Sequence, residues 1–410
     1  MTKSYWMSTH TNPQWRSSKN VRLLSHIEDA SKVYWDAVIV GGGIAGISTA
    51  FWLHQKDPHL KVLIVDKASL LEGATARNAG FVTCGSIEHF RKLEKQFGTE
   101  KALQLWRFSE VNRKLLEENV LSDSEQDFET TGRGACTVAN SQEAADLYLS
   151  ESRRLTNLGI DVEFLDRSQI NARLGVKGFE AGILYAHDRG IHPLKVMDAM
   201  LTKTEVSILE NTPVLRVEES KLGVSVVTPN ATIRAGRVVL ASSFQISEIC
   251  RNQRIPLIPQ RSQVIVTKPL PLKTHTLCYH TKYLCYFRQM NNGRYLIGGF
   301  RNLDLKSEQT VEDGVTSKIQ DALERFFLEE LSDDSHSTNF VDNRWSGVMG
   351  FTPDGQMLLG RVPEHKEVYM IGGCNSHGMG LFFHAGKVLV ESFYGGKGIP
   401  AEYAPSRNFV

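Results

Sequence analysis

The sequence lacks the signatures of disulfide-stabilised proteins, zinc-binding modules and the common hydrolases. Its six cysteines are scattered and form no Cys-x-x-Cys pair, which argues against a zinc ribbon or a thioredoxin-type site. Six thiols in 410 residues indicate reduced cysteines and a cytoplasmic location rather than a disulfide framework. The motifs HExxH, GxSxG and the P-loop are absent. We therefore predict no bound metal ion.

An excess of charge of one sign and long apolar runs are missing as well. The 47 Lys and Arg residues balance the 46 Asp and Glu residues, so no nucleic-acid or anionic-membrane partner is expected. The N-terminal region contains no continuous apolar stretch of the signal-peptide type. The apolar stretch Val33–Leu53 has the length of a membrane span, but three consecutive glycines interrupt it. We interpret it as a buried strand followed by a turn, and we predict no integral membrane segment.

What the chain does contain is an ordinary globular composition. Hydrophobic residues make up 41% and charged residues 23%, which excludes a disordered or fibrous chain. Strand-type segments dominate about residues 130–192 and 256–300, whereas strand–helix units occupy both ends of the chain. No Pro/Gly-rich linker separates these regions. The pattern indicates an α/β nucleotide-binding domain that is interrupted by a β-rich domain.

The clearest local unit is Ala37–Asp66. A short apolar run is followed at once by GGGIAG, by helix-compatible residues and by a second apolar run that ends in Asp66. In the Gly-x-Gly-x-x-Gly turn, Gly41 makes the tight turn, Gly43 admits a pyrophosphate and Gly46 allows close helix–strand packing. The carboxylate of Asp66 can accept hydrogen bonds from a ribose diol. The unit predicts a site for NAD or FAD, and an acid at this position disfavours NADP.

A second motif separates these two cofactors. Gly73–Gly80 reads GATARNAG, and such small residues around an Arg–Asn pair would let the chain run along a flavin. Here the sequence resembles the FAD-dependent amine and amino-acid oxidoreductases of the D-amino-acid oxidase (DAO) family, most of all the γ-glutamylputrescine oxidase-type members. NAD dehydrogenases have no such element, so the resemblance implies FAD.

Other segments of the chain carry the same resemblance. They lie near the N-terminus, in the strand-rich region and in the last quarter of the sequence: Ser4–Trp6, Gly190–Leu194, Val214, Arg237–Ser243, Val264–Leu270, Arg344–Gly347, Thr352–Asp354 and Ser376–Gly380. The resemblance thus extends from about residue 4 to residue 394.

The fold implied by the resemblance is α/β, with a Rossmann-type FAD-binding domain interleaved with a β-rich substrate domain. The FAD-binding domain is expected at residues 30–90, 193–245 and 345–410, and the substrate domain at residues 125–192 and 246–344. Residues 1–29 would form an N-terminal segment and residues 91–124 a helical connection.

The resemblance also implies which residues hold FAD. They are Gly41, Gly43, Ile44, Ala45, Gly46, Asp66, Lys67, Thr75, Ala76, Arg77, Asn78, Ala79, Gly80, Val214, Ser242, Gly347, Gly378, Met379 and Gly380. Sarcosine oxidase-like members tether FAD through a Cys on the strand around Val348. No Cys occurs there, so we expect non-covalent FAD. Cys84 is the nearest thiol in the sequence, and we interpret it as a small buried residue.

Two carboxylate-binding residues of the family are absent. Gly380 stands where sarcosine oxidase-like members have a Lys, and Val348 or Met349 where glycine oxidase-like members have an Arg. An unpaired carboxylate would be desolvated there, which disfavours simple α-amino acids and N-methyl amino acids. Strand alternation places Tyr286 and Arg288 on one face. That face could line a substrate pocket, or it could be a half-buried strand with a surface-paired Arg.

The predicted reaction is hydride transfer from the carbon next to an amine to flavin N5, which gives an imine that water hydrolyses. We expect Arg288, Tyr286 and His377 to be the catalytic-site residues. The substrate would be a small-molecule amine, and O₂ or another electron acceptor would take the electrons. Leu296 replaces the oxygen-activating Lys of sarcosine oxidases, so oxidase and dehydrogenase both remain open. The alternatives are a flavoprotein that has lost catalysis and serves a binding or structural role, and an NAD-dependent Rossmann enzyme, against which GATARNAG argues.

Overall fold

The computed structural model describes residues 2–123, 126–132, 134–251, 255–332, 339–396 and 398–409. Residues 125 and 410, which bound two of the predicted domain segments, lie outside this range. The strands are β1 Val21–Leu23, β2 Tyr34–Val40, β3 Val62–Val65, β4 Phe81–Val82, β5 Ala135–Ala139, β6 Glu163–Asp166, β7 Ala181–Tyr185, β8 Arg189–Gly190, β9 Val206–Leu209, β10 Arg216–Ser220, β11 Gly223–Val227, β12 Thr232–Leu240, β13 Ile258–Thr267, β14 Leu277–His280, β15 Cys285–Gln289, β16 Tyr295–Gly299, β17 Val341–Phe351, β18 Leu358–Arg361 and β19 Val368–Gly372.

The α-helices connect and cover these strands. They are α1 Tyr5–Thr9, α2 Ile27–Ser31, α3 Ile44–Lys56, α4 Ile87–Phe97, α5 Thr99–Leu116, α6 Gln142–Asn157, α7 Arg167–Leu174, α8 Pro193–Thr202, α9 Ile246–Ile249, α10 Leu305–Glu308, α11 Ser317–Phe326 and α12 Gly378–Ser392. Short 3₁₀ turns occur at Gln14–Ser17, Ala74–Arg77, Ser243–Gln245, Thr281–Tyr283, Arg301–Leu303 and Ala401–Tyr403. None of the described helices is both long and apolar enough to cross a membrane.

The first sheet carries the predicted dinucleotide-binding unit. Its strand order is β1-β9-β3-β2-β12-β11-β10, and β19 pairs in parallel with the last part of β12 and antiparallel with β18. The central strands β9, β3, β2 and β12 are all parallel. Because both faces of such a sheet are covered, β3 is buried along its whole length. Val33–Leu53 therefore contains β2, the glycine turn and most of α3.

The second sheet is mostly antiparallel, with the order β17-β13-β16-β15-β14-β5-β7-β6. Strands β15 and β16 form a hairpin through Asn291-Asn292-Gly293, in which Gly293 adopts φ +82°. Helices α7 and α11 cover one face of this sheet through a separate apolar cluster. The two sheets and their helices confirm the predicted α/β fold with a second, β-rich part.

One predicted boundary needs correction. Residues 341–351 form β17, which pairs along β13 from Val341↔Thr267 to Phe351↔Ile258. The expected start of the last FAD-domain segment at residue 345 falls inside this strand, so residues up to Phe351 belong to the second sheet. In the N-terminal segment, β1 pairs in parallel with β9 and so adds an edge strand to the first sheet.

Candidate functional site

A cavity of about 1180 Å³ extends between the two sheets. One end is bordered by the glycine turn after β2 and by the end of β3. The other end is bordered by residues of β14, β15 and β17 and by the segment that precedes α12. The carboxyl ends of parallel strands thus open into it, which is where doubly wound folds bind dinucleotides.

The glycine turn is shaped by close backbone contacts. Gly41 adopts φ +108°, and a Cβ there would lie 2.6 Å from the Ala241 carbonyl oxygen. A Cβ at Gly46 would lie 1.9 Å from the Gly41 carbonyl oxygen, so α3 packs directly on the turn. A Cβ at Gly43 would meet only the Thr75 hydroxyl, at 3.0 Å. The turn is therefore tight on the protein side and open towards the cavity at Gly43, where a diphosphate could approach the backbone.

The carboxylate of Asp66 is fixed by two backbone donors. Its Oδ2 accepts a hydrogen bond from the Gly42 N–H at 2.7 Å, and its Oδ1 accepts one from the Ala68 N–H at 3.0 Å. Burial raises the pKa of Asp66, and the two hydrogen bonds oppose that rise. Asp66 lines the cavity together with Lys67 and Val214. The acid is thus held at the end of β3, as a ribose-binding residue would need to be.

The segment Gly73–Gly80 is held from behind by the N-terminal segment. Ser4 Oγ donates a hydrogen bond to the Ala76 carbonyl at 2.6 Å, and Trp6 Nε1 donates one to the Asn78 carbonyl at 2.7 Å. The Asn78 side chain closes the loop internally, because it donates to the Thr75 carbonyl and accepts from the Gly80 N–H. The Ser-Tyr-Trp motif therefore shapes this loop, a role that the sequence analysis did not assign to it.

Arg77 joins the segment to the second sheet. Its Nη1 donates to the Ser346 carbonyl at 3.0 Å and lies 3.4 Å from Asp313 Oδ2. In return, Trp345 Nε1 donates to the Arg77 carbonyl at 2.9 Å. A Cβ at Gly347 would lie 2.9 Å from the Arg77 Cβ, so β17 passes directly over this residue. The guanidinium group is thus engaged by the protein, although Arg77 also borders the cavity.

Most of the expected FAD-binding residues border the cavity, and four do not. Those that border it are Gly41, Gly43, Ile44, Ala45, Asp66, Lys67, Thr75, Arg77, Asn78, Ala79, Val214, Ser242, Gly347, Gly378 and Met379. Gly46 and Ala76 lie behind the wall. Gly80 packs on the Ile191 carbonyl and Gly380 on the Thr83 carbonyl, which a Cβ would approach to 2.1 Å and 2.4 Å. These four residues position the wall and do not form its surface.

The structure contradicts the expectation that Arg288 lines the substrate pocket. Its side chain is 1% exposed, and its Nη2 donates to the Ile191 carbonyl at 2.9 Å. Its Nη1 donates to Thr131 Oγ1 at 3.2 Å, and the guanidinium carbon lies 5.2 Å from the Trp6 ring centroid. Burial lowers the pKa of Arg288 to about 9. Arg288 therefore supports the backbone behind the cavity wall.

Tyr286 lies on the cavity wall, unlike Arg288 two residues further along β15. Its hydroxyl is 3.4 Å from Ser262 Oγ, and its ring meets Phe81 edge-on at a centroid distance of 5.8 Å. Burial raises its pKa, so the phenol is neutral at neutral pH. Tyr286 and Phe81 together form an apolar wall near the segment Gly73–Gly80.

A model of the FAD dependent oxidoreductase family, DAO, matches residues 36–392. The chain belongs to this family. It is 25% identical to "Probable oxidoreductase OrdL" of Haemophilus influenzae, over 91% of this chain and 84% of that protein. It is 22% identical to γ-glutamylputrescine oxidoreductase of Escherichia coli, over 95% and 90%. Glycine oxidase from Geobacillus kaustophilus has the same fold, with a TM-score of 0.75 and 18% identity over 92% of this chain and 99% of that structure. The predictions of an FAD-dependent oxidoreductase and of the DAO family are confirmed.

The cavity of this DAO-family chain fits FAD on two observations of its own. The Gly43 backbone is open to the cavity, where a Cβ would meet only Thr75 Oγ1. Ser242 also borders the cavity, and its buried hydroxyl has no hydrogen-bond partner among the described residues. An open glycine turn and an unpartnered polar atom on the same wall suit a polar cofactor that supplies the missing partners.

His377 marks the start of α12 at the cavity. Asn375 and Ser376 adopt φ +51° and +69°, and this turn delivers the chain from β19 to the helix. The N-terminus of α12 therefore borders the cavity and contributes the positive end of a helix dipole. Burial lowers the pKa of His377 to about 4 and that of His89, whose ring centroid is 5.9 Å away, to about 3. Both histidines are neutral at neutral pH.

Two features of this DAO-family cavity were missed by the sequence analysis. Arg301, two residues after the end of β16, borders the cavity and stacks on Phe351 with its guanidinium carbon 5.3 Å from the ring centroid. Its position after Gly-Gly-Phe is the only sequence signal, and that signal does not show which way the chain turns. Cys374 also borders the cavity, whereas Cys84 is buried beside Asp188 and does not. Cys136 and Cys278 border the cavity too, so Cys84 is not the thiol nearest to it, although it is the small buried residue that we expected.

Proposed function

We propose that this chain oxidises the C–N bond of an amine or amino-acid-derived substrate, with FAD bound non-covalently. One observation carries the proposal: a single cavity of about 1180 Å³ runs from the glycine turn at Gly43 to the aromatic wall at Tyr286. A dinucleotide site and a substrate chamber are thus continuous. The names of the relatives, γ-glutamylputrescine oxidoreductase and glycine oxidase, support a reaction at a CH–NH group.

When bound in this cavity, FAD would supply a hydride acceptor for the carbon next to the substrate nitrogen, and the oxidised C–N bond would be an imine that water hydrolyses. The chain's own groups have three tasks. Gly43 and Asp66 would hold the diphosphate and ribose. The N-terminus of α12 would stabilise negative charge at that end of the cavity. Tyr286 and Phe81 exclude water from the wall where the substrate lies, which favours the neutral form of the reacting amine.

Positions 348, 349 and 380, where cations were considered above, carry none for a carboxylate. Gly380 packs on the Thr83 carbonyl and has no room for a side chain, while Val348 and Met349 border the cavity with apolar groups. Both observations support an amine without a carboxylate on the reacting carbon. The catalytic contribution that we propose for Tyr286 and His377 is positional, because both are neutral groups on the wall.

The electron acceptor is O₂ or another carrier. Leu296 lies on β16 and is fully buried, so it offers the cavity no charge that would assist oxygen. We also propose a cytoplasmic location, which is supported by six cysteines that are all free thiols in this structure. Non-covalent binding is supported by the three thiols that border the cavity, Cys136, Cys278 and Cys374, because burial raises the pKa of each and keeps it protonated.

The test is anaerobic reduction of the bound flavin by a panel of amines, polyamines and N-substituted amino acids. The proposal expects at least one compound to bleach the flavin band, and readmission of O₂ to distinguish oxidase from dehydrogenase. Free FAD with the same compounds is the control. If the protein binds FAD and no amine reduces the bound flavin, a binding or structural role is supported instead.

A further inference from the structure

Arg301 is a cationic side chain on the wall of the cavity that the proposed reaction does not use. It begins the 3₁₀ turn Arg301–Leu303, after Phe300 has turned the chain with a left-handed backbone of φ +58°. It is half-buried and stacks on Phe351, which also borders the cavity. The turn and the ring together fix the guanidinium at this wall.

The other two arginines of the wall bind groups of the protein. Arg77 binds Asp313 and the Ser346 carbonyl, and Arg251 Nε donates to the Glu248 carbonyl at 3.2 Å. Lys67 and Lys92 also border the cavity, but an ammonium is a point charge and cannot form the two parallel hydrogen bonds of a guanidinium. Within the part of the chain that the structure describes, Arg301 forms no hydrogen bond and no ion pair. Its N–H donors are therefore available to a ligand.

The groups around Arg301 do not neutralise it. Burial raises the pKa of Tyr279 to about 12 and also raises that of Tyr286, and the charge of Arg301 opposes both rises only in part. Both phenols remain neutral. Glu88 also borders the cavity, and its Oε1 accepts hydrogen bonds from Tyr148 at 2.6 Å and Thr281 at 3.1 Å. Among the described residues Glu88 forms no ion pair with Arg301, so the guanidinium faces the cavity without a carboxylate partner.

We propose that Arg301 binds a carboxylate that the substrate carries at the end remote from the amine that is oxidised. The planar guanidinium fork matches a carboxylate with two parallel hydrogen bonds. Neither Gly380 nor Met349 supplies a cation for an acid on the reacting carbon, which favours an acid at a distance from it. The substrate class is therefore an ω-amino acid or a longer amine with one distal acidic group. The inference rests on the proposed function and replaces Arg288 by Arg301 as the group that binds the acid.

The test compares two amines of equal chain length with the FAD-loaded protein. γ-Aminobutyrate carries a carboxylate and n-butylamine does not, and anaerobic stopped-flow reduction of the flavin gives an apparent Kd and a limiting rate for each. We expect the acid to bind about 10- to 100-fold more tightly in the wild type. A series of longer ω-amino acids, each compared with the alkylamine of equal length, then identifies the chain length that binds best.

Arg301→Gln should remove this preference, because it should weaken the binding of the ω-amino acid alone. Both limiting rates and the Kd of n-butylamine should stay unchanged. Arg301→Lys should retain part of it, since a point charge replaces the fork. Lys92→Gln is the matched control, because it removes another cation of the same wall and should leave the preference intact. Butyrate gives a readout without turnover: it should shift the flavin absorption band, with a Kd that rises to the same extent in Arg301→Gln.

The outcomes separate the two proposals. Equal binding of acid and alkylamine in the wild type, or a loss in Arg301→Gln that affects both amines alike, would overturn the role of Arg301 and leave the proposed function standing. If no amine reduces the bound flavin, the proposed function fails. The butyrate titration still decides in that case whether Arg301 binds carboxylates.

Discussion

Two substitutions in the glycine turn, three residues apart, should affect FAD binding and folding stability separately. Gly43→Ala places a Cβ 3.0 Å from Thr75 Oγ1, a hydroxyl that can move by a few tenths of an ångström. Gly46→Ala places one 1.9 Å from the Gly41 carbonyl oxygen, which belongs to the backbone and cannot move alone. Overpacking of this kind costs about 1–3 kcal/mol or more. We expect Gly46→Ala to lower the free energy of unfolding of the apoprotein by at least this amount, and Gly43→Ala to leave it nearly unchanged.

FAD affinity, in contrast, should be lowered directly by Gly43→Ala. In Gly43→Ala the methyl group occupies the open face where the diphosphate would approach, so the Kd for FAD should rise about 5- to 150-fold in a well-folded protein. Urea denaturation of the apoprotein and a fluorescence titration with FAD measure the two quantities separately. A Gly43→Ala protein that binds FAD within twofold of the wild type would show that the diphosphate lies elsewhere. Unchanged stability in Gly46→Ala would refute the packing of α3 on the turn.

Three further predictions follow from contacts of the cavity wall. FAD should be released completely by acid or heat, because burial keeps the three thiols that border the cavity, Cys136, Cys278 and Cys374, protonated; flavin absorbance that stays with the precipitated chain would contradict this. Trp6→Phe removes the donor to the Asn78 carbonyl and should weaken FAD binding about 2- to 10-fold, as measured by titration. Burial lowers the pKa values of His89 and His377 to about 3 and 4, below the value of about 6.5 for the unfolded chain, so the unfolded state binds more protons at acid pH. Apoprotein stability should therefore fall as pH drops from 6.5 to 4, and His377→Gln should flatten part of this dependence in denaturation curves.

The dinucleotide-binding unit could be predicted from the sequence because its chemistry is local. The turn, its preceding strand and Asp66 lie within one continuous stretch, and each glycine has a steric reason that can be stated without the rest of the chain. The family and the cofactor followed from the next motif, Gly73–Gly80. In both cases residues that act together are also close in sequence.

The substrate side could not be predicted in the same way. Alternation correctly puts Tyr286 and Arg288 on one face of β15, but two residues span about 7 Å of strand. That distance is enough for one side chain to border the cavity and for the other to lie behind it, against Gly190 and Ile191. Periodicity predicts on which face of a strand a side chain lies, but it does not predict where along the strand a cavity ends.

Arg301 was missed for a related reason. The strand β16 ends at Gly299, and the direction of the next residues depends on the left-handed backbone of Phe300. Apart from Gly, mainly Asn and Asp adopt such a conformation readily, so a Phe gives no warning of it. The position of the Arg301 guanidinium is therefore set by a turn that depends on the tertiary structure.

The boundary at β17 also shows how the two parts of the chain share elements. Trp345 and Ser346 lie on a strand of the second sheet. They nevertheless form hydrogen bonds with Arg77, which lies in the segment Gly73–Gly80 after β3 of the first sheet. A sequence motif near residue 345 can thus serve the FAD site while its backbone belongs to the other sheet. Motif positions alone do not assign a residue to a domain.

The wall behind the candidate flavin segment is built by side chains that bind backbone groups. Ser4 and Trp6 donate to the carbonyls of Ala76 and Asn78, and Arg288 donates to the carbonyl of Ile191. Such contacts fix the course of the loop whatever side chains the loop itself carries, because every residue offers the same carbonyl. A buried cation without a carboxylate partner is costly, and three main-chain and hydroxyl acceptors offset that cost only in part. Arg288 is therefore better explained as a residue that holds the candidate FAD-binding loop against the second sheet than as a substrate-binding residue.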